Sequence, residues 1–451
     1  MYNTIAIEDL KAPAVALYNE GFFNDARSAA SGRGVPGLRA VALTVPCECS
    51  VLEQVEAGLG PEVIDRIVAA LTKPLTRDEE APRQQEERPT RIAFKGSLEE
   101  VNRFFYRRGW GDGLPIIPPT AEAVAEMLAG TDLPPDHVVT KIIPRLGKAT
   151  VEKIAVNAVM AGALPTYMPL LIAAVQALME PRGWYGTYQV STGSWAPCLI
   201  INGPVRKALH LNSGSGMMSP GDLANAAIGR ALGLIVKNIG GARKGIEDMG
   251  VMGNPMKYSL AIAENEEESP WEPLHVQQGL RKDDNAVTVF YPNSLLQMMA
   301  YGSESDALLR TVTYNLPPAR GGLVCLTLIP AHARMLAGDG WGKQEVAAFV
   351  AENARVPLQH HPEYWGANLG SEGKQFPKSP MDSPQQSVAI LNSPEKLRVV
   401  VAGGPGSFIG LMMGGHGVGP DGWVTKKMEL PVGWEKLVEK YKGLVPAYAK
   451  Y

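Results

Sequence analysis

The sequence predicts an α/β protein of mixed α+β type, with a large body holding a mixed sheet and buried helices, preceded by a small, incomplete α/β unit. Three observations predict it. Short apolar runs of strand character alternate with longer stretches of helical periodicity. Hydrophobic residues make up 45% of the 451 residues and charged residues 20%, enough apolar surface for a sizeable core. Glycine (48) and proline (36) are plentiful, so the chain is expected to be rich in the loops where ligand sites tend to lie.

Residues 1–73 form the first unit. A Gly34-Val35-Pro36 turn leads into an apolar run, Leu38 to Val45, and PEVIDRIVAALTKPL then has the spacing of an amphipathic helix. One strand and a helix cannot close a core alone, so this unit is expected to dock on another sheet or another subunit. A charged, proline-containing linker follows over 74–96. The body runs from 97 to 451. Ser97 and Glu100 stand in capping-box positions ahead of VNRFFYRR, GWGDGLPIIPPT is a glycine-rich turn into an extended segment, and Thr120 caps AEAVAEMLAG. VEKIAVNAVMAGAL and MPLLIAAVQALM are expected as paired buried helices around a proline break. APCLIING is a strand. Asn212 to Gly216 form a glycine/serine loop before a helix expected to begin with Ser219 as N-cap and Pro220 at N1, and to stop at Gly240-Gly241. Further strands are expected at YSLAIAE, AVTVFY, GLVCLTLIP and LRVVVAGG, and helices at NSLLQMMAYG, SESDALLRTVTY and KQEVAAFVAENA. No solenoid-type repeat is visible.

Charge and cysteine content narrow the function. Lys+Arg number 43 and Asp+Glu 46, a formal charge of −3, which argues against a nucleic-acid binder. Four cysteines, Cys47, Cys49, Cys198 and Cys325, are too few for a disulfide framework, and the N-terminus has no basic segment leading into an apolar run. A reduced, cytoplasmic protein is expected. Ile154 to Met179 carries no formal charge, but Pro165 and Pro169 break it, so two buried helices are expected in place of a membrane span.

The candidate chemistry clusters in YSLAIAENEEESPWEPLH. Glu264 ends an apolar strand, and Glu266, Glu267, Glu268, Glu272 and His275 follow. A strand end that delivers carboxylates into a loop suits general acid/base groups, with Glu264, Glu267 and His275 as the candidates, or the same three as ligands of a divalent metal ion. Trp271 and the prolines beside it mark the loop as packed, and Trp271 is a candidate for substrate contact. The loop of Asn212, Ser213, Gly214 and Ser215 offers backbone N–H groups to an anion, or is simply the entry to a capped helix. Cys198 and Cys325 have the setting of core residues. Cys47 and Cys49 form C-x-C at a strand end, a redox or metal candidate that does not complete a zinc site. His416, in GGHG, is a candidate acid or base on a glycine loop. Asp112, between two glycines, has the place of a turn residue.

GWGDGLPIIPPT, KIAVNAVMAGALPTYMPLLIAAVQAL, IINGPVRKAL, IGRALGLIVKNIGGARKG and AENEEESPWEPLH together resemble the long C-terminal region of the UGSC family, selenoproteins or cysteine counterparts named for a selenocysteine-Gly-Ser-Cys motif. The resemblance covers roughly residues 97–420. The first unit is similar to the end of that family's other domain, which is itself similar to the selenocysteine-bearing substrate subunit of glycine reductase complexes. This chain lacks UGSC or CGSC, and Cys47 stands where a histidine is usual. What the resemblance implies is an enzyme subunit for thiolate or selenolate chemistry at a carbon–heteroatom bond of a small carboxylate-bearing substrate. The reactive group is then expected on a second, Cys/Sec-bearing subunit of a hetero-oligomer. In that setting the loop at 212–215 and Arg243 would hold the substrate carboxylate, and Glu264 with His275 would handle protons. The alternatives are a metal-dependent lyase or hydrolase using Glu264, Glu267 and His275, and a non-catalytic scaffold subunit.

Overall fold

A computed structural model of the chain describes residues 1–45, 52–80, 91–183, 185–319, 322–357, 387–391, 393–414 and 422–444. The fold is α/β with mixed sheets, as expected, but the body holds two large sheets where one was expected. The first combines β5 (Cys198–Asn202), β6 (Ala261–Ala263), β7 (Ala286–Phe290) and β14 (Val424–Lys427) in the order β14-β7-β5-β6. The second combines β8 (Ser294–Met299), β9 (Leu323–Leu328), β12 (Leu397–Val401) and β13 (Phe408–Gly414) in the order β12-β9-β13-β8.

The alternation of side chains along each strand assigns the layers. Cys198, Ile200, Ile262 and Phe290 of the first sheet share one buried cluster with Leu323, Cys325, Val400 and Met412 of the second, so the two sheets pack face to face. The opposite face of the first sheet, including Leu199, Ile201 and Val289, packs on the helices Val151–Met160, Met168–Leu178 and Leu223–Asn238. The opposite face of the second, including Val324, Leu326 and Leu411, packs on Ser305–Ala319, Pro330–Gly338 and Lys343–Asn353. Helix, sheet, sheet and helix form four layers. Burial on both faces explains why these strands read as unbroken apolar runs.

The two sheets share one topology. In the first, β5 runs parallel to β6 and antiparallel to β7, and β7 runs antiparallel to β14. In the second, β9 runs parallel to β12 and antiparallel to β13, and β13 runs antiparallel to β8. Register matches as well: Cys198 lies opposite Phe290 and Cys325 opposite Met412, while Leu199 neighbours Ala261 and Leu326 neighbours Val399. The body is therefore a duplicated unit of strand, helical crossover, parallel strand and antiparallel strand. The next strand of each half leaves for the other sheet: β8 follows β7 but pairs with β13, and β14 follows β13 but pairs with β7.

Several sequence expectations need correction. NSLLQMMAYG is not a helix: Ser294–Met299 is the edge strand β8, where Met298 is buried and Leu295 and Met299 are exposed, a period of two imposed by pairing with β13. The stretch after Gly404 enters β13. The helix expected from Ser219 starts at Leu223 with Asp222 as N-cap, because Gly221 takes φ +141° and interrupts the chain after Pro220. The first unit holds its own strand pair: β1 (Ala16–Asn19) runs parallel to β2 (Ala40–Leu43), with the helix Phe23–Gly32 between them. Its last helix, Pro61–Thr72, is closed by Arg39, which donates to the carbonyls of Ala70 and Lys73 and pairs with Glu79. The remaining strands are the hairpin of β3 (Val138–Ile142) and β4 (Gly147–Thr150), and the pair β10 (Arg355–Pro357) and β11 (Ser387–Ala389). Ile154 to Met179 forms two buried helices joined by a turn at Pro165–Tyr167, and no helix among the described residues is long and apolar enough to cross a membrane.

The GWGDGLP turn proves to be structural. Asp112 accepts from the Leu114 N–H (3.1 Å) and makes a two-pronged ion pair with Arg230 (2.7 and 3.0 Å), while Lys237 donates to the Gly109 and Gly111 carbonyls. Burial alone would raise the Asp112 pKa, and the Arg230 hydrogen bonds outweigh it and hold the carboxyl below its ordinary value. Asp112→Asn is expected to cost about 1–3 kcal/mol at neutral pH. The pair's contribution is present above the ordinary carboxylate pKa and lost as pH falls through the lowered one, so the variant and wild type should converge in acid denaturation midpoints.

Candidate functional site

The parallel strands β5 and β6 end side by side, and their last residues are polar. Asn202 closes β5, and Glu264 follows β6 directly, its N–H donating to the Ile201 carbonyl. In α/β sheets the carboxyl ends of parallel strands are the usual place for ligands. Both side chains are fully buried. Glu264 Oε2 accepts from Asn202 Nδ2 (2.7 Å) and from the Leu274 N–H (2.7 Å), and Oε1 accepts from Lys343 Nζ (2.6 Å). The two ionic side chains are 0% and 3% exposed. Lys343 opens the helix Lys343–Asn353 of the second half of the body, where the helix dipole disfavours a cation and no side-chain cap is present. The carboxylate of the first half supplies the compensation. Lys343, Asn202 and the Leu274 amide were not anticipated as Glu264 partners.

A second tier holds the strand ends in place. Glu266 accepts from Asn202 Nδ2 (3.0 Å) and the Gly203 N–H (2.7 Å) and is ion-paired with Arg206, whose Nε lies 3.1 Å away. Arg206, itself 4% exposed, also donates to the Glu264 carbonyl (2.7 Å) and to both oxygens of Glu267 (3.0 and 3.1 Å). Burial would raise the Glu267 pKa, but Arg206 and then Lys207 outweigh it and hold the carboxyl at about 2. Glu267 is thus a fixed anion and not a proton carrier at neutral pH. Gly203 takes φ +91°, and a Cβ there would lie 2.3 Å from the Asp284 carbonyl oxygen. Gly203→Ala is expected to be destabilising by several kcal/mol, with a circular-dichroism melt as the check, because left-handed strain adds to a backbone clash.

His275 is fully buried one residue beyond the Leu274 amide. Its Nε2 faces the Lys282 carbonyl (3.3 Å), and its Nδ1 is buried without a partner among the described residues. Asn202 Oδ1 is likewise buried and without a hydrogen-bond partner. A cavity of about 410 Å³ opens beside this network, lined by Lys343, Gln277, Gln278, Gln344, Glu395 and Arg398 among others. Its size suits a small molecule. Its lining offers donors, acceptors and both signs of charge.

No family model, curated protein or solved structure matches the chain.

The other expected site residues fall elsewhere. The glycine/serine loop does reach the end of a parallel strand, that of the second half: the Gly403 N–H donates to the Ser213 carbonyl (2.8 Å), and Gly404 lies so close to Ser215 that an added Cβ would sit 2.6 Å from its side chain. Its Asn212 side chain is consumed inside the loop, accepting from Gly214 N–H and donating to the Ser215 carbonyl and to Asp222, whose carboxylate stands where an anion would approach. Arg243 cannot share a carboxylate with this loop. The 16-residue helix Leu223–Asn238 separates them, a span of roughly 24 Å. Trp271 donates its indole N–H to the Trp341 carbonyl (2.9 Å) and packs at the edge of the second helical layer, a tether between halves and not a cavity residue. The metal reading also fails on geometry: Glu264 is committed to Lys343, Glu267 to Arg206 and Lys207, and no group of three His, Cys, Asp or Glu side chains among the described residues could hold an ion. Cys198 and Cys325 lie in the core between the sheets, where burial pushes the Cys198 thiol up and the Cys325 thiol to about 12, so both are neutral. Cys47, Cys49 and His416 lie outside the described residues.

Proposed function

We propose that the chain is the substrate-holding subunit of a multi-subunit enzyme that cleaves or substitutes a carbon–heteroatom bond of a small carboxylate-bearing molecule. The reactive thiol or selenol belongs to a second polypeptide, as the UGSC resemblance implies, and the complex works in the reducing cytoplasm. The observation that carries the proposal is the buried Glu264–Lys343 pair at the ends of β5 and β6, with the buried Asn202 Oδ1 left without a partner in the same network and buried His275 following the Leu274 amide in sequence. Buried charge beside a cavity marks a place where proton transfer can be tuned. Glu264, Lys343 and His275 would move and hold protons while the partner's anion attacks.

Two observations support a partner. The described cysteines are neutral core thiols and not nucleophiles. The first unit presents a two-stranded sheet and, on the helix Pro61–Thr72 and just beyond it, an exposed apolar stripe of Ile64, Val68, Leu71 and Leu75. Parallel sheets are normally covered on both faces, so this arrangement has room for strands from elsewhere. The test is to isolate the native complex from cells and assay it with and without the copurifying Cys/Sec-bearing subunit. Turnover that requires both polypeptides and falls by about 10²-fold or more in Glu264→Gln is expected. Full turnover by this chain alone overturns the two-polypeptide scheme, and unaltered turnover in Glu264→Gln makes the chain a scaffold.

A further inference from the structure

The first unit meets the body through a face that is not apolar. Asn24, Arg27, Ser28 and Ser31 recur at helical spacing along Phe23–Gly32, and with Arg145, Arg243 and Ile246 of the body they line a second cavity of about 290 Å³. Three arginines thus line one small space.

The body fixes two of them from below. Glu247, 1% exposed, accepts from Arg243 Nε (2.9 Å), from the Arg243 backbone N–H (3.2 Å), from Arg243 Nη2 and from Arg145 Nη1 (3.4 Å). Ser28 Oγ donates to the same carboxylate across the junction. A guanidinium carries five N–H groups, so Arg145 and Arg243 keep further donors for the cavity after Glu247 is satisfied. Arg27 lies over the Phe23 ring at 5.5 Å. Asp25, on the same helix, is the other carboxylate nearby, so cations still outnumber anions around the cavity. Arg145 and Arg243 are 38% and 43% exposed, so their outer donors face water that an oxyanion entering the junction would replace.

We infer that this cavity is a binding site for a small oxyanion, a carboxylate or phosphate group, held by Arg27 from the first unit and Arg145 and Arg243 from the body. It is separate from the Glu264 site. The bound anion would also clamp the first unit to the body, since its ligands come from both.

The inference is tested on the full-length chain by calorimetric titration with inorganic phosphate, pyrophosphate and citrate. Saturable binding of at least one is expected, weakened by about tenfold or more in Arg27→Gln, because one charge-assisted hydrogen-bonding group is lost. Arg27 is exposed and outside the Glu247 network, so the variant should melt as wild type does without anion. Preference for pyrophosphate assigns a phosphate-bearing ligand, and preference for citrate a carboxylate. Absence of binding by all three at millimolar concentration, or equal binding by Arg27→Gln, overturns the inference.

Discussion

Lys343→Met is expected to lower the stability of the chain by about 3–5 kcal/mol, among the largest effects of any single substitution in the body. The variant leaves Glu264 buried with its charge unpaired, and removing one partner of a buried pair costs far more than the pair itself contributes. Glu264→Gln in the Lys343→Met background should recover most of the loss. A neutral amide can still accept from the Leu274 N–H and Asn202, and no buried charge then remains. Urea unfolding of the two single variants and the double variant checks this. Midpoints of the single variants equal to wild type would show that the pair is not a buried ionic contact.

Arg206→Met is the second large effect, again about 3–5 kcal/mol. Arg206 contacts Glu266, Glu267 and the carbonyls of Gly203 and Glu264 at once, so its loss takes the buried cation from Glu266, leaves Glu267 to Lys207, and loosens both strand ends. The effect depends on pH in a defined direction. Glu267 is depressed to about 2 in the folded chain, so its stabilising contribution is complete above the unfolded carboxylate pKa and is lost as pH falls toward 2. In Arg206→Met the share that Arg206 supplies is missing at every pH, while Lys207 keeps its own. The gap to wild type should therefore narrow as the solution is acidified through that window.

How much of this was legible depends on where each signal resides. β5, β6, β7, β9 and β12 could be read because they are buried on both faces and reduce to apolar runs. β8 could not: LLQMM has no β-branched residue, and only its pairing with β13 makes it a strand. Glu264 was recognisable as a carboxylate at a strand end. Its partner Lys343 was not, because a lysine beginning KQEVAAF reads as a solvent-facing first turn and nothing local announces a carboxylate from the other half. The one available hint was electrostatic, a cation at a helix start without a cap. The duplication stayed hidden for the same reason, since it is written in strand pairing and leaves little beyond Cys198-Leu199 and Cys325-Leu326 in the sequence.

The exchanged strands bear on how the chain must be made. Because β8 is made before every strand of the sheet it joins, and β14 completes the sheet begun at β5, the first sheet is unfinished until Val424–Lys427 has been synthesised. A ribosome-bound first half would expose the face carrying Ile200, Ile262 and Phe290 until the second half arrives to cover it. Folding then proceeds late and through pairings distant in sequence, which are slow to form. Chaperone dependence during synthesis, and a single shared melting transition afterwards, follow from that interlock.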